Sequence, residues 1–419
     1  MKIPFVKRIK NNLKTLSVEN FCKIVKSSVN ADIDENGTIR CFSLNKYLST
    51  APTDWLLNVC KINDIIFYVA NNGTVYYQVN KGGCGNVPAT FTTEPEIILL
   101  KNEENGILIA NGVGDGYLLK DGGVITQVAL PVGGAMCYYN QRLFIANGRK
   151  LLFSAVDDYT NFTMDLNSGG MIQTSAEDGD ILRLVENDGK LVIFTNKAVY
   201  EFTTDGERLD YKLERKIEFA FNNFFTKSVK VCDGKVVFIN DNKLCTYKEG
   251  KIKEIDSYLD LDDVTVKNSF GVSGSAYYIA LIENRYGGRI LRYDFNGDRQ
   301  CFIQTDYSLV CDGGMVSNNA GSIYTISQAE DSNCIVKFSS IDFDMGTAKD
   351  KVIHKISAFC QGECILTVQS DCGNYDFILE SGANLKRMNL PSSTYSFNFS
   401  GNNGFSVYRL KIEYRVKED

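Results

Sequence analysis

The sequence has a single tryptophan, a single histidine and only six prolines in 419 residues. With one histidine, His354, metal sites that need two histidines are excluded, and a Ser-His-Asp triad is left only if His354 is its base. No nucleophile motif accompanies His354, so we interpret it as an ordinary strand residue. Trp55 stands alone, and the chain therefore lacks a cluster of tryptophans on which sugars could stack.

Long apolar runs and an excess of positive charge are also missing. No run of about 18 apolar residues occurs, which predicts no membrane span. The first ten residues are basic, but no apolar region of about 7–15 residues follows them, as it would in a signal peptide. A formal net charge of −6 argues against a protein that grips nucleic acid through its phosphates. Thirteen cysteines, an odd number without a secretory signal, predict reduced thiols made in a cytosol.

Turn-forming pairs are abundant. The sequence contains 14 Asn-Gly or Asp-Gly pairs, among them Asn72-Gly73, Asp188-Gly189 and Asp233-Gly234. These residues accept positive φ at low cost, as two-residue hairpins require. The segments between them are short and rich in β-branched and aromatic residues, for example residues 190–194. The pattern predicts an all-β protein.

One sequence pattern recurs along the chain: a turn, an apolar strand, a second small turn and a strand rich in Tyr or Phe. Successive copies begin 35 to 48 residues apart. A four-stranded propeller blade takes about 40–50 residues, so the period predicts a β-propeller of six or seven blades over residues 31–345. The copies begin near Asn63, Asn105, Asn140, Asp188, Asp233, Gly274 and Asn319.

The two ends of the chain depart from this period. Residues 1–30 carry the only helical pattern, a weak amphipathic one, and we interpret them as an arm. Residues 346–419 read as alternating strands and predict a small C-terminal β-sandwich. The strands are predicted at residues 352–356, 365–368, 395–399 and 405–416.

Motifs that carry chemistry are weak throughout. Residues 112–117 (Gly-Val-Gly-Asp-Gly-Tyr) have the wrong spacing for a phosphate cradle and predict a hairpin. Cys360, Cys364 and Cys372 would need a fourth ligand to bind zinc, and buried thiols are the better interpretation. The acidic runs at 260–263 and 294–298 do not complete a calcium loop. We therefore predict no catalytic residues, no metal and no cofactor, and hence no enzyme.

Two segments are candidates for contacts with a partner. The basic arm could meet an acidic protein surface or DNA, although a solvated terminus explains it equally well. The other segment is the loop at residues 157–162. The candidate residues are Lys2, Lys7, Arg8 and Lys10 in the arm, and Asp157, Asp158, Tyr159 and Phe162 in the loop.

Three stretches together resemble a known family. Residues 30–40 resemble the opening strand of phage tail propeller proteins, with an acidic residue, a glycine, an apolar residue and an arginine. Residues 140–162 resemble the sequence pattern of their blades, in which Arg-Leu-Phe is followed by apolar-Phe-Ser and a polar stretch ending in Asn-Phe. Residues 340–344 and 405–416 resemble their C-terminal sandwich. The family comprises the nozzle, hub and packaged-DNA stabilisation proteins of short-tailed bacteriophages.

The resemblance implies a structural virion protein of the tail hub, nozzle or head-to-tail connector. It implies a homo-oligomeric ring, often of six copies, in contact with portal, adaptor and other tail proteins, with DNA passing through the channel without sequence-specific binding. Synthesis would take place in the cytoplasm of the bacterial host. Two alternatives remain open from the residues: a propeller that recognises carbohydrate or protein outside any virion, and a propeller glycan hydrolase that uses paired acids on its rim.

Overall fold

The computed structural model contains almost only β-strands, 38 in all among the residues that it describes. The fold is all-β, a β-propeller with a C-terminal β-sandwich. No helix in the described part of the chain is long and apolar enough to cross a membrane. The structure describes residues 13–17, 25–29, 31–33, 39–48, 56–79, 84–101, 106–120, 123–165, 169–204, 211–255, 257, 264–283, 287–304, 309–317, 323–328, 336–340, 350–401 and 405–416.

The chain forms two compact units. One comprises residues 46–288 and 306–324, and we call it the propeller unit. The other comprises residues 1–45, 289–305 and 325–419, and we call it the sandwich unit. This division differs from the predicted ranges because the strands of residues 13–45 and 289–305 pair within the sandwich unit.

Five four-stranded antiparallel sheets lie in the described part of the propeller unit, and in each one the strands follow their order in the sequence. Sheets 1 and 2 comprise β5 (Leu56–Ile62), β6 (Ile65–Ala70), β7 (Thr74–Val79), β8 (Cys84–Thr90), β9 (Glu96–Leu99), β10 (Ile107–Ala110), β11 (Gly116–Leu119) and β12 (Ile125–Val128). Sheets 3 and 4 comprise β13 (Met136–Tyr139), β14 (Arg142–Asn147), β15 (Lys150–Phe153), β16 (Gly170–Gln173), β17 (Ile181–Asn187), β18 (Lys190–Thr195), β19 (Ala198–Thr203) and β20 (Lys212–Glu218). Sheet 5 comprises β21 (Lys230–Cys232), β22 (Lys235–Asn240), β23 (Lys243–Lys248) and β24 (Lys251–Ile255).

Positive φ angles confirm the turn prediction. Asp188 and Gly189 have φ of 53° and 69°, and Asp233 and Gly234 have φ of 51° and 67°, which is the type I′ geometry that joins twisted strands. The predicted repeats near Asn63, Asn140, Asp188, Asp233 and Gly274 each fall at the turn between the first and second strands of a sheet. Asn105 and Asn319 lie outside the described residues. In the last repeat the corresponding turn is at residues 312–314.

Neighbouring sheets pack face to face, so their central strands are buried on both sides. In β6, Phe67 and Val69 contact Ile107 and Ile109 of sheet 2. Period-2 alternation then points Tyr68 of β6 to the opposite side. The same relation joins sheets 2 and 3, 3 and 4, and 4 and 5. Each sheet thus covers a face that its neighbour could not bury alone.

Two further pairs of strands close the ring. They are β25 (Val264–Ser273) with β26 (Ala276–Glu283), and β29 (Leu309–Cys311) with β30 (Met315–Ser317). Tyr277 of β26 donates to the Ser228 carbonyl beside sheet 5 at 2.6 Å. Ser269 of β25 donates to the Val310 carbonyl of β29 at 3.1 Å. Finally, β29 contacts β5 of sheet 1. The first strands β5, β9, β13, β17, β21, β25 and β29 mark seven positions around this ring.

The sandwich unit consists of two sheets around one apolar core. One sheet contains β1, β38, β33 and β36 side by side, with β4 on β38 and β3 on β4. The other contains β27, β28, β2, β32, β37, β34 and β35 in that order. The strands not yet bounded are β1 (Leu13–Ser17), β2 (Val25–Val29), β3 (Ala31–Ile33), β4 (Ile39–Leu48), β27 (Gly287–Asp294), β28 (Arg299–Gln304), β31 (Ile323–Gln328), β32 (Val336–Ser340), β33 (Lys351–Gln361), β34 (Cys364–Ser370), β35 (Gly373–Leu379), β36 (Gly382–Ser392), β37 (Tyr395–Gly401) and β38 (Ser406–Val416).

The four strands predicted near the C-terminus are confirmed as parts of β33, β34, β37 and β38. The helical pattern predicted in residues 1–30 is wrong for its described residues. Residues 13–17 pair with β38, and residues 25–29 pair with β32. Local spacing was too weak there to outweigh pairing with strands distant in sequence.

Candidate functional site

A cavity of about 110 Å³ lies at the centre of the propeller unit. Its walls come from sheets 1, 2, 4 and 5, from the segments that precede β9 and β21, from β25, and from β29 with the turn after it. Polar and charged side chains dominate its lining. The residues that matter for its chemistry are Asn58, Cys60, Glu94, Glu96, Arg183, Lys227, Lys230, Asn268, Phe270, Cys311 and Asp312.

Most of these side chains are placed by the first strand of a sheet. Cys60, Arg183 and Lys230 belong to β5, β17 and β21; of these strands, β17 contacts β21, and β5 contacts β29. Consecutive residues of a strand point to opposite faces, and a first strand has no further strand of its own sheet on the inner side. Charged residues in these otherwise apolar strands therefore converge on the axis.

Glu94 is bound by two neighbouring groups. The Asn58 amide nitrogen donates to its Oε1 at 2.7 Å, and Lys227 forms an ion pair with its other oxygen. Lys227 lies in the short 3₁₀ turn Thr226–Ser228 before sheet 5. Glu94 thus connects sheet 1 with sheet 5 across the cavity.

Two further ion pairs complete the cavity. Arg183 binds Glu96, and their side chains are 17% and 24% exposed. The Lys230 ammonium lies 3.1 Å from Asp312 Oδ2, and Asp312 Oδ1 accepts a hydrogen bond from the Val272 amide at 2.9 Å. Burial acts to lower the pKa of Arg183 and of Lys230, but the carboxylate beside each more than offsets burial and raises the pKa.

The two cavity thiols are poor nucleophiles. Burial raises the pKa of Cys60 to about 12, although Lys230 acts in the opposite direction. Burial also raises the pKa of Cys311 well above its usual value. Nucleophilic chemistry needs the thiolate, so both side chains are protonated and inert near neutral pH.

The cavity is therefore a polar, charge-balanced space. Three carboxylates face three cations, and each carboxylate pairs with a different cation. A space of this volume holds a few water molecules or one small polar molecule. Ion pairs that join different sheets also oppose any widening of the ring.

The predicted loop at residues 157–162 lies after β15 and is held tightly. Asp158 accepts from the Thr160 amide at 3.2 Å and from its hydroxyl at 2.7 Å, which forms an Asx turn. Tyr159 and Phe162 pack against the core between sheets 2 and 3, whereas Asp157 and Asp158 are exposed. The loop thus offers its two carboxylates to solvent, and a role in partner contacts stays a prediction.

The other predicted candidates are separate from the cavity. Lys2, Lys7, Arg8 and Lys10 lie outside the described residues. Cys360 and Cys364 are buried, as predicted for structural thiols, but Cys372 is exposed, so that interpretation was wrong for it.

Sequence reasoning missed the cavity because its residues come from six separated segments. One signal was present: the strands β17 and β21 carry Arg183 and Lys230 beside apolar residues, at positions that line the cavity of the closed ring. A second signal was Glu94-Pro-Glu96, two acidic residues that flank a proline directly before the apolar residues 97–100. Neither can be interpreted until the ring closure is known.

A second feature is the apolar surface of the sandwich unit. Phe359 on β33 is 50% exposed and Leu385 on the neighbouring β36 is 51% exposed. On the other sheet, Ile365 and Ile378 are directly opposite each other and are 43% and 55% exposed, with Tyr375 at 41%. These five residues form two groups, one on each sheet, and we call them together the sandwich patch. Exposed apolar groups of this size on neighbouring strands are typical of interaction surfaces.

Comparison with known proteins yields weak structural similarity. No protein-family model matches the sequence, and no curated protein matches it. Among solved structures, the chain is similar to a streptogramin B lyase, with 13% identity, 69% of this chain and 98% of that chain covered, and a TM-score of 0.48.

Two other solved structures give similar values. A catalytically inactive virginiamycin B lyase from Staphylococcus aureus with quinupristin has 13% identity, covers 69% of this chain and 100% of that one, and has a TM-score of 0.48. The WD40 repeats of RRP9 have 8% identity, cover 69% and 97%, and have a TM-score of 0.44. Because these scores and identities are low, the propeller description rests on the strands and packing of this chain.

Proposed function

We propose that this protein is a structural component of a bacteriophage tail, located in the hub, the nozzle or the head-to-tail connector. Its copies would form a ring with portal, adaptor and other tail proteins. The chain would be made in the host cytoplasm and then incorporated into the virion. The observation that carries the proposal is the sandwich patch, because a permanent assembly would cover such apolar side chains.

The places of the resembling stretches support this proposal. Residues 140–162 build β14, β15 and the loop after them in sheet 3. Within them, Arg142 donates to the Ser154 carbonyl at 2.6 Å. This hydrogen bond connects the Arg-Leu-Phe part of the pattern to its Phe-Ser part within one blade. Residues 405–416 contain β38, a central strand of the sandwich. These stretches are thus structural and do not supply reactive groups.

The cavity is consistent with a mechanical role. Its charges are paired and its thiols protonated, so it presents no activated nucleophile. Its volume of about 110 Å³ has room for only a few water molecules, which makes it far too small for a DNA duplex. A DNA channel would therefore lie between copies. A lumen lined with acidic side chains repels phosphate, and the net charge of −6 is compatible with such sliding.

The test is co-assembly. The purified protein is mixed with the portal and tail proteins encoded beside it, and the mass of the product is measured by light scattering, with negative-stain imaging of the particles. We expect rings bound to at least one of these partners. A protein that stays monomeric and binds none of them would overturn the proposal.

A variant of the sandwich patch sharpens this test. Phe359→Asp with Leu385→Asp should abolish co-assembly while the melting temperature stays close to that of the wild type, because both side chains are half exposed. The matched control is Val113→Asp, since Val113 is 62% exposed but lies in the propeller unit. An equal loss of co-assembly in the patch variant and in the control would contradict a specific role of the sandwich patch.

The cavity favours a second candidate, a propeller that binds a small polar ligand or one terminal sugar unit of a glycan. Arg183 supplies the specific observation, because its buried Nε has no hydrogen-bond partner. A glycan array together with a thermal-shift screen of small charged metabolites tests this function. A ligand whose binding is lost in Arg183→Met and kept in Lys243→Met would support it.

A further inference from the structure

The strand β35 forms an open edge in the sandwich unit. It ends the order of its sheet, and in the described part of the chain no strand pairs with its other side. Its seven residues pair with β34 without a bulge, so the edge is straight. Five of the first six residues are exposed, among them Tyr375 and Ile378.

This edge lacks the usual protection against pairing. Natural edge strands are shielded by Lys, Pro, bulges or covering segments. The sequence Gly-Asn-Tyr-Asp-Phe-Ile-Leu of β35 contains neither Lys nor Pro. Unpaired amide and carbonyl groups along an exposed edge strand are a template for a strand of another chain.

The charge of the chain segment that carries this edge is of one sign. Residues 356–385 contain no Lys or Arg. Their four acidic residues are all exposed: Glu363, Asp371, Asp376 and Glu380. A strand that pairs here should therefore be basic.

The chain itself contains a segment of such composition. Residues 1–12 hold four basic residues, Lys2, Lys7, Arg8 and Lys10, and no acidic one. Residues 5–10, Phe-Val-Lys-Arg-Ile-Lys, combine β-forming side chains with these charges. We call residues 5–10 the basic strand segment.

One antiparallel register brings opposite charges together and also brings apolar residues together. When Arg8 stands opposite Asp376, Val6 stands opposite Ile378 and Ile9 opposite Tyr375. Arginine then meets the carboxylate, and apolar residues meet the exposed apolar residues of the edge. Cross-strand pairs of these two kinds stabilise antiparallel sheets.

Distance indicates which copy supplies the segment. Leu13 is paired with Arg415 of β38, and β38, β33 and β36 follow one another across that sheet. Leu13 is thus three strands from β36, about 14 Å at a strand spacing of about 4.8 Å, and β35 lies in the other sheet, about 10 Å away. Only two residues separate Lys10 from Leu13, and the three Cα–Cα steps between them span at most about 11 Å. The same molecule cannot place its segment in this register.

We propose that the basic strand segment of one copy adds to the open edge of β35 in a second copy. The inference rests on the proposed assembly into rings and names the contact between neighbours. A contact of one surface with a different surface of the next copy is of the kind that closes rings.

Charge reversal tests this contact. The variants Arg8→Asp and Asp376→Lys each place like charges opposite each other, and each should weaken self-association roughly tenfold in sedimentation equilibrium. The double variant restores an opposite-charge pair and should regain most of the wild-type association. Circular dichroism and the melting temperature confirm folding in each case.

Glu177→Lys is the matched control, because Glu177 is exposed in the propeller unit. It reverses the same kind of charge and should leave self-association unchanged. A decrease in self-association as large as that caused by Asp376→Lys would indicate a general effect of charge and overturn the proposed contact.

Isotope mixing identifies the molecule that donates the strand. Chains labelled with ¹⁴N and ¹⁵N are mixed and treated with a zero-length carbodiimide cross-linker, and peptides are analysed by mass spectrometry. We expect mixed-isotope links from Lys7 or Lys10 to Asp376 or Glu380. Links between like isotopes alone, or none, would overturn the inference.

The outcomes separate this contact from the proposed function. If Arg8→Asp and Asp376→Lys still form the wild-type rings with tail partners, the contact is wrong and the assembly stands. If the wild-type chain never self-associates, with or without those partners, both proposals are wrong.

Discussion

At the residue scale, Arg142 shows how one charged side chain is used inside a blade. It is 5% exposed, donates to the Ser154 carbonyl at 2.6 Å and lies over the rings of Phe153 and Tyr211. Ser154 in turn accepts from the Leu143 amide at 3.0 Å. A buried cation is tolerated here because it donates to a carbonyl and its charge lies over two aromatic rings.

Replacement of Arg142 should therefore destabilise the propeller unit. Arg142→Met leaves the Ser154 carbonyl without this donor, and we expect a loss of about 1–3 kcal/mol in the free energy of unfolding. Urea denaturation followed by fluorescence measures it. Arg149→Met in the same blade serves as the control, and an equal loss there would refute the special role of Arg142.

The buried carboxylate of Asp178 predicts a dependence on pH. Arg215 donates to it from Nε and Nη2, both at 2.8 Å, and Tyr200 also contacts it. The side chain is 4% exposed. The Arg215 hydrogen bonds, opposed by burial and supported by Tyr200, lower the pKa of Asp178 below its usual value.

A carboxylate with a lowered pKa in the folded state stabilises the fold above its unfolded pKa of about 4. This stability is lost as the pH falls through the folded pKa. We expect Asp178→Asn to be less stable than the wild type at pH 7, and the difference in melting temperature to shrink as the pH falls below about 4. A difference that stays constant from pH 7 to pH 3 would contradict this assignment.

At the scale of elements, the ion pair between Arg183 and Glu96 joins β17 of sheet 4 to β9 of sheet 2. Both side chains are less than one quarter exposed, so removal of one partner leaves a poorly solvated charge. Arg183→Met and Glu96→Gln should each cost about 2 kcal/mol of stability, a value below that of a fully buried pair.

A double-mutant cycle checks this coupling by urea denaturation. The double variant removes both charges and should cost less than the sum of the two single changes. The control cycle uses Lys243 and Glu254, which lie 2.8 Å apart but are 49% and 53% exposed. Its coupling should be at most about 0.5 kcal/mol. Additive single changes at Arg183 and Glu96 would show that the cavity pair does not couple the sheets.

Elements with strong local signals could be predicted from the sequence. Asp188-Gly189 and Asp233-Gly234 mark their hairpins because only certain residues accept positive φ, and that chemistry is local. The strands of residues 13–17 and 25–29 could not be predicted, because their partners β38 and β32 lie hundreds of residues away. The cavity was missed for the same reason, since Glu96 and Arg183 meet only when the ring is closed.

At the scale of the whole molecule, ring closure determines how the propeller unit unfolds. An open array of sheets loses its terminal members first, because they have a neighbour on one side only. Here β29 and β30 pack on sheet 1 through Leu309 and Met315, which contact Leu56 and Tyr68. No sheet is then terminal, and removal of any one exposes apolar faces on two others.

Buried thiols report on this closure. Cys245 in sheet 5 and Cys311 in β29 are 1% and 2% exposed, whereas Cys84 is exposed. Pulse labelling with a maleimide across a urea series, followed by mass spectrometry, should modify Cys84 in the folded protein. Cys245 and Cys311 should become reactive together at one higher urea concentration, because the closed ring opens as a unit. Labelling of Cys311 at clearly lower urea than Cys245 would mean that the contact of β29 with sheet 1 is weak. The propeller unit would then behave as an open array whose last hairpin frays, and the cavity with its ion pairs would open before the sheets themselves unfold.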